Sequence, residues 1–435
     1  MRRERSRKIV CATLVSLALV CCTWRRAGAD VSPGDVIDKT NWEKAEGLLP
    51  DSVLNWVKKG DFVLTIGDLD YAEKDYFTES ALKSLESNKG RYEVNADDVI
   101  VDAATGKVPD FIEGIPFPEV DLNDPRAGQK LLYNKHYHSF TFGGIMYTVP
   151  VKWIGRGGFE RQAVALYMNF PMDGYAPSKL LDNPDGIERY TIISALEPYD
   201  ISGFALMLWR YRDEREDVNL AYVPAIRRVR RMSPANRSDS WMGCDLVWDD
   251  AWGFDGKVGK FKWKVLRSQE TLVPYTSRKV ERVTANKRGE WETTPEITPI
   301  RYGYETNGWG GAPWAPVSYV WVKKRVHIIE AVSKDPYYNY GKQEIWFDPD
   351  IFSPKYKIAY DRSGTYWKTY FSCLAGAESE DGKLKFMLIT NQMIVDERTQ
   401  HASICTGGTR ELKMVNFANI DLNDFTLAGF QKYCK

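Results

Sequence analysis

From His138 onward the chain is dominated by segments in which apolar and polar side chains alternate, with no helical period between them. The stretches HSFTFGGIMYTVPVKWI, RQAVALYMNF, RYTIISALEP, GFALMLWRYR, KFKWKVLRS, YVWVKKRVHIIEAVS, KQEIWFDPD, YKIAYDRSGTYWKTYFSC and KFMLITNQMIV are rich in Tyr, Trp, Phe, Val and Ile. Gly, Pro, Asp and Asn separate them. A period of two does not suit a helix, whereas antiparallel strands joined by turns put such residues alternately on opposite faces. About ten strands in succession predict a mainly β fold, one large curved antiparallel sheet forming a half-open barrel. DRSG at Asp361–Gly364 is the clearest hairpin turn.

The segment before residue 136 reads differently and predicts two or three helices that cap the sheet. In NWEKAEGLLPDSVLNWVKKG, Leu48, Leu49, Val53, Leu54 and Trp56 have near-helical spacing, with Asp51 as N-cap and Gly60 as C-cap. In NDPRAGQKLLYNKH, Asp124 and Pro125 mark the start of another helix. The expected organisation is a leader at residues 1–29, a helical and irregular segment at 30–135, and the sheet at 136–435, the last two forming one continuous domain. NGWGGAPWAP lies in a weakly periodic stretch, Asn286–Pro316, that reads as a lid or an edge loop.

The leader sets the compartment. Arg2, Arg3, Arg5, Arg7 and Lys8 precede the apolar run IVCATLVSLALVCC, and AGAD supplies small residues for cleavage after Ala29. This predicts secretion to the periplasm. Acylation at Cys21 or Cys22 is disfavoured, because Val20 and Cys21 stand where a small residue is expected. Lysine plus arginine and aspartate plus glutamate both total 59, so loss of seven basic residues and Glu4 with the leader leaves a net charge near −6. That balance argues against nucleic acid as a general partner. Cys244, Cys373, Cys405 and Cys434 remain, and an oxidising compartment permits two disulfides among them in three pairings.

The most unusual stretch is YVPAIRRVRRMSPANRSDSWMGCDLVWDDAWGFDG, Tyr222–Gly256. Read as one strand, Tyr222–Met232 sends Arg228 and Arg230 to one face and Arg227 and Arg231 to the other. A nucleic-acid groove would gather them on one face beside stacking aromatics. Arginines on a covered face need carboxylate partners, and Asp245, Asp249 and Asp250 follow closely. The stretch is therefore expected to be a structural ion-pair cluster, with an anionic ligand or partner site as the alternative. The aspartates lack the alternating pattern of a calcium loop. His136 and His138 would share a face of a strand, a spacing that suits either a metal or two surface histidines. GRGG at Gly155–Gly158 and GWGG at Gly308–Gly311 match no phosphate-binding fingerprint, and no GxSxG occurs.

YVPAIRRVRRM, the following SD and DLVWDDAWGFDG resemble an uncharacterised family of secreted bacterial proteins, domain of unknown function 1329. Its members are often labelled outer membrane lipoprotein-sorting proteins, and the family is similar to the LolA and LolB lipoprotein carriers. YGKQEIWFDPD and YDRSGTYWK match its later strands. The resemblance implies a LolA/LolB-like half-open barrel, capped by helices, whose apolar inner face shelters acyl chains or another lipid in the periplasm. It brings no catalytic residue, cofactor or metal. It implies hydrophobic cargo (a lipid, an acyl chain or a sterol-like molecule), with an envelope membrane transporter or outer-membrane acceptor as partner. Because the chain is longer than those carriers, a carrier of lipid or other hydrophobic molecules is favoured over a lipoprotein chaperone.

Several strands look apolar on both faces, more than a one-sided sheet requires, and the second face is free to line a cavity. The strand aromatics and apolar residues Phe140, Phe142, Met146, Trp209, Trp321, Trp346 and Trp367 are the expected lining. Two other classes compete with a carrier: a hydrolase of lipid or glycan, which needs acidic and histidine side chains to converge, and a docking or scaffold protein of an envelope export system, which needs the arginines exposed.

Overall fold

A computed structural model describes residues 31–293, 300–406, 414–416 and 419–435; residues 1–29, expected to be a leader, lie outside the described residues. The N-terminal part runs β1 (Val36–Ile37), α1 (Asp51–Lys59), β2 (Leu64–Ile66), α2 (Glu79–Ser87), the β3 (Tyr92–Val94) and β4 (Ile100–Asp102) hairpin, and α3 (Ala127–Phe140). In α1 the spacing buries Val53, Leu54, Trp56 and Val57 on one face. Its N-cap is Pro50, with Asp51 in the first turn, and Gly60 closes it at φ 79°, a conformation glycine adopts at little cost. Asp124 accepts the Arg126 N–H at 2.7 Å just ahead of α3.

α3 continues to Phe140, through the start of the stretch read as the first strand. Leu131, Leu132, Tyr133, Tyr137 and Phe140 are all buried around it. A helix covered on every side has no apolar stripe, so its period is invisible in the sequence.

The sheet follows with β5 (Ile145–Gly155), β6 (Gly158–Pro171), β7 (Ile187–Glu197), β8 (Ala205–Tyr211), β9 (Val218–Val223) and β10 (Arg228–Arg231). After a long excursion come β11 (Phe261–Tyr275), β12 (Glu281–Ala285), β13 (Trp291–Thr293), β14 (Val320–Ser333), β15 (Lys342–Asp348), β16 (Ser353–Tyr360), β17 (Tyr366–Ser379), β18 (Lys385–Asp396), β19 (His401–Thr406) and β20 (Met414–Asn416). Across the sheet the main antiparallel order is β10, β9, β8, β7, β6, β5, β19, β18, β17, β16, β15, β14, β11. The two halves are therefore joined where β5 meets β19, with Gly155 opposite His401. Parallel pairings of β2 with β14 and β12 with β17 make the sheet mixed. Among the described pairings β10 and β11 do not meet, so the sheet stays open. Asp361 shapes the DRSG hairpin by accepting the N–H groups of Ser363 and Thr365, both at 2.9 Å.

Alternation along the strands builds two cores. Tyr370 and Ile394 face inward with α2, α3 and the residue 241–261 segment, while Phe371, Met393 and Val395 face outward under α1 and residues 302–322. Leu206 of β8 and Phe261 of β11 belong to the same inner cluster, which the residue 241–261 segment spans through Trp241, Leu246, Val247, Phe254 and Val258. The outer face of β6 to β8 is covered by Ile420, Phe425 and Phe430 of the C-terminal segment. NGWGGAPWAP is not a free lid: Trp314 is buried and Ala312 N–H bonds to the Asp61 carbonyl at 3.0 Å. None of the permitted disulfides forms among the described residues, where Cys244, Cys373, Cys405 and Cys434 are free thiols.

Trp321 is fully buried in the outer core. Trp321→Ala is expected to lower stability by about 3–5 kcal/mol in urea unfolding, the cost of emptying such a site.

Candidate functional site

Tyr222–Met232 is not one strand. Pro224 fixes its φ and offers no N–H, residues 224–226 form a single 3-10 turn, and Arg227 takes a left-handed φ of 48°. The chain reverses there into the β9–β10 hairpin. Arg227, Arg228, Arg230 and Arg231 are exposed, and none makes an ion pair among the described residues. This corrects the expectation that they pair with Asp245, Asp249 and Asp250.

The aspartates take other partners. Past β10 the chain crosses the inner face, and the fifth arginine of the stretch, Arg237, is buried against Asp249 at 2.6 Å and Asp255 at 3.0 Å. Asp255 also receives Arg189 of β7 at 2.7 Å. Arg210 of β8 pairs with Asp217 at 2.9 Å and donates to the Asp255 carbonyl. Asp250 pairs with the fully buried Lys357 of β16 and accepts from the Tyr340 hydroxyl at 3.0 Å. Asp245 accepts from Ser403 at 2.7 Å, and His401 Nδ1 lies 2.6 Å from the same oxygen. Burial alone would raise the Asp255 carboxyl, but Arg189, Arg210 and Arg237 outweigh it and hold it below the usual range.

Between these charged ties the segment presents apolar side chains to the sheet. Trp241, Leu246, Val247, Trp248, Ala251 and Trp252 close a cavity of about 90 Å³ whose opposite wall is Tyr147, Val149 and Val151 of β5, Tyr167 of β6, Ile193 of β7 and Leu208 of β8. Arg237, Asp255, Thr191 and Gln392 give it a polar margin. Trp252 sits at φ 56°, rare for a bulky residue. Its N–H donates to Gln392 at 2.6 Å, which holds the turn in place. Gly253 follows at φ 83°, where a Cβ would stand 2.5 Å from Pro354. Cys405 also borders the cavity, and burial pushes its thiol up to about 12.

The residues expected to line a cavity lie elsewhere. Phe140 and Phe142 belong to the end of α3 and the chain after it, packed in the inner core. Met146 and Trp209 point outward beneath the C-terminal segment, where Trp209 Nε1 donates to the Phe425 carbonyl at 2.9 Å. Trp321 and Trp346 fill the outer core. Trp367 donates to Asp396 at 2.7 Å under the Arg398 guanidinium. What sequence reading missed was parity: on β5 the odd positions face the pocket and the even ones do not. The signal was present in Trp241–Trp252, where apolar residues sit among charges that must be buried.

His136 and His138 lie on α3 rather than a strand, so they do not share a face. His138 packs among Phe77, Phe142 and Phe352, and burial lowers it to about 3. His327 meets Ser268 at 2.8 Å on the β11–β14 ladder, far in sequence from the Asp245–His401 pair. His327 and His401 thus each have a partner of their own, while His136 and His138 are both buried on α3. Among the described residues no group of three or more His, Cys, Asp and Glu is arranged to hold a metal, and no helix is long and apolar enough to cross a membrane.

The fold and pocket define a class: an open, curled sheet that closes an apolar pocket with its own chain. Residues 36–429 match a family described as protein of unknown function, DUF1329, and the chain belongs to that family. No curated protein matches significantly. Crystal structures similar to this chain include these three. One, a domain described as an outer membrane lipoprotein-sorting protein from Vibrio parahaemolyticus, is 15% identical with a TM-score of 0.47, covering 72% of this chain and 100% of that one. A DUF1329 family protein from Desulfovibrio piger is 16% identical with a TM-score of 0.46, covering 70% and 99%. A LolA superfamily protein from Nitrosomonas europaea is 14% identical with a TM-score of 0.39, covering 69% and 98%.

Two outcomes follow from this geometry. Arg237→Met leaves Asp249 and Asp255 short of a buried cation and is expected to lower stability by about 3–5 kcal/mol, whereas Arg228→Ala should stay within about 0.5 kcal/mol in the same denaturation series. The hydrogen bond to Asp245 raises the His401 pKa above its ordinary value. Its contribution is therefore complete below the unfolded value of about 6.5 and is lost as pH rises through the raised one. Melting temperature against pH should show that loss in the native protein and not in His401→Gln.

Proposed function

We propose that the protein is a periplasmic carrier or binding protein for a lipid or another hydrophobic molecule, which it holds without chemistry. The observation that carries this reading is the pocket between β5–β8 and the Trp241–Trp252 segment. A well-packed core closes such voids, whereas this one is walled by apolar side chains on both sides. An apolar void of this kind stays dry and accepts apolar guests.

Size adds the mechanism. About 90 Å³ is well short of the roughly 300 Å³ at which pockets for whole small molecules begin. Cargo therefore enters by movement of side chains, with Trp241, Trp248 and Trp252 swinging from the strand wall onto the guest while the ion pairs of Arg237 and Lys357 keep the backbone of the segment in place. Each methylene buried contributes about 0.8 kcal/mol, so about ten of them supply about 8 kcal/mol against the cost of opening. The leader and the apolar pocket agree with a protein that meets lipids outside the inner membrane.

Delipidated protein titrated with a fluorescent fatty acid should show saturable binding. Native mass spectrometry of the purified protein should show co-purified lipid. Ala251→Trp, which fills the pocket from the covering segment without altering the strands, is expected to weaken binding at least roughly tenfold with little change in melting temperature. Absence of saturable binding, or equal binding by the Ala251→Trp variant, would sink the reading.

A further inference from the structure

The β9–β10 hairpin forms one edge of the sheet, since among the described residues β10 pairs with β9 alone. Arg227, Arg228, Arg230 and Arg231 project from it exposed, and none has a carboxylate partner among the described residues. Charged side chains on an edge strand guard it against pairing with other chains, but that role does not call for apolar residues among them. Ile226 at the tip is 42% exposed and Val229 is 36% exposed.

The neighbouring loop continues the surface. Ser194, Ala205, Tyr222 and Val229 stand side by side across β7, β8, β9 and β10. The β7–β8 connection and the β9–β10 turn therefore leave the sheet at the same end. That connection carries Tyr199, 97% exposed, beside the exposed Leu196. Its acidic residues are Glu197 and Asp200, so the four arginines leave the combined surface positive on a chain whose basic and acidic residues are equal in number.

We propose that this end of the sheet docks on an anionic lipid bilayer, with the arginines on headgroup phosphates and Tyr199 and Ile226 at the interface. A tyrosine with an apolar ring and a polar tip is suited to that boundary. Clustered arginines gain from an anionic surface and lose the gain within a Debye length as salt rises. Beyond Arg231 the chain runs directly into Arg237 and the segment that closes the pocket. Bilayer contact is therefore made by the stretch that leads into the cover. The docking surface does not depend on the identity of any cargo.

The test is co-sedimentation of the full mature chain with phosphatidylcholine vesicles, with and without phosphatidylglycerol. Binding is expected only with phosphatidylglycerol and should weaken as salt is raised. An R228E/R230E variant should bind at least roughly tenfold more weakly with an unchanged melting temperature, and Tyr199→Ser should weaken binding while leaving the salt dependence. Fatty-acid titration of R228E/R230E should match the native protein, which separates this surface from the pocket. No binding that depends on phosphatidylglycerol, or equal binding by R228E/R230E, would overturn the proposal and leave the hairpin to an acidic protein partner or to edge protection.

Discussion

Everything on the inner face depends on a set of buried ion pairs. Arg189 and Arg210 rise from the strands, Arg237 arrives from the crossing segment, and all three converge on Asp255. Asp250 adds a second tie to Lys357 from the opposite half of the sheet. Such pairs contribute little net stability over apolar replacements, but breaking one member is severe. Their value here is positional: they hold a segment of irregular backbone against a curled sheet at a fixed depth. The apolar residues between the ties can then face the strands without packing them tightly.

This arrangement explains why charge and hydrophobicity are interleaved so closely in Asp245–Asp255. A lid made only of apolar residues would collapse onto the strands as ordinary core, and one made only of charges would leave the sheet uncovered. Alternating the two gives a segment whose polar positions fix its place and whose apolar positions border the cavity. Trp252, strained at φ 56° and bordering the cavity, sits where those demands meet. Strain at a bulky residue is retained where the surroundings over-determine it.

The sheet was legible because a period of two survives in any single strand. Its curvature and mainly β character followed from the number of strands and the turns between them. The pocket was harder to see, because choosing a lining requires knowing which parity faces inward on each strand. Bulges such as that between Cys373 and Leu374 switch parity partway along. α3 was extended too little because a helix buried on all sides carries no stripe. The arginine run misled because Pro224 was treated as an ordinary strand residue, and a single turn there separates exposed arginines from the one that is buried. The aspartates were expected to pair with the arginine run, but beyond Arg237 their partners, Arg189 and Lys357, come from distant strands that no local pattern connects.

The seam where β5 pairs with β19 has a consequence for how the chain reaches this state. Each half of the sheet is a local meander that can assemble as it emerges, but the seam joins strands from opposite ends of the chain. Contacts of that span form late and slowly. The inner core draws on strands of both halves, with Leu206 of β8 and Phe261 of β11 in one cluster, so it is complete only once the seam has formed. Until then two half-sheets with unpaired central edges coexist, and each edge is a template for another molecule. The edges of β5 and β19 are therefore the ones that must find each other, and the arginines of β10 guard only the outer edge of one half.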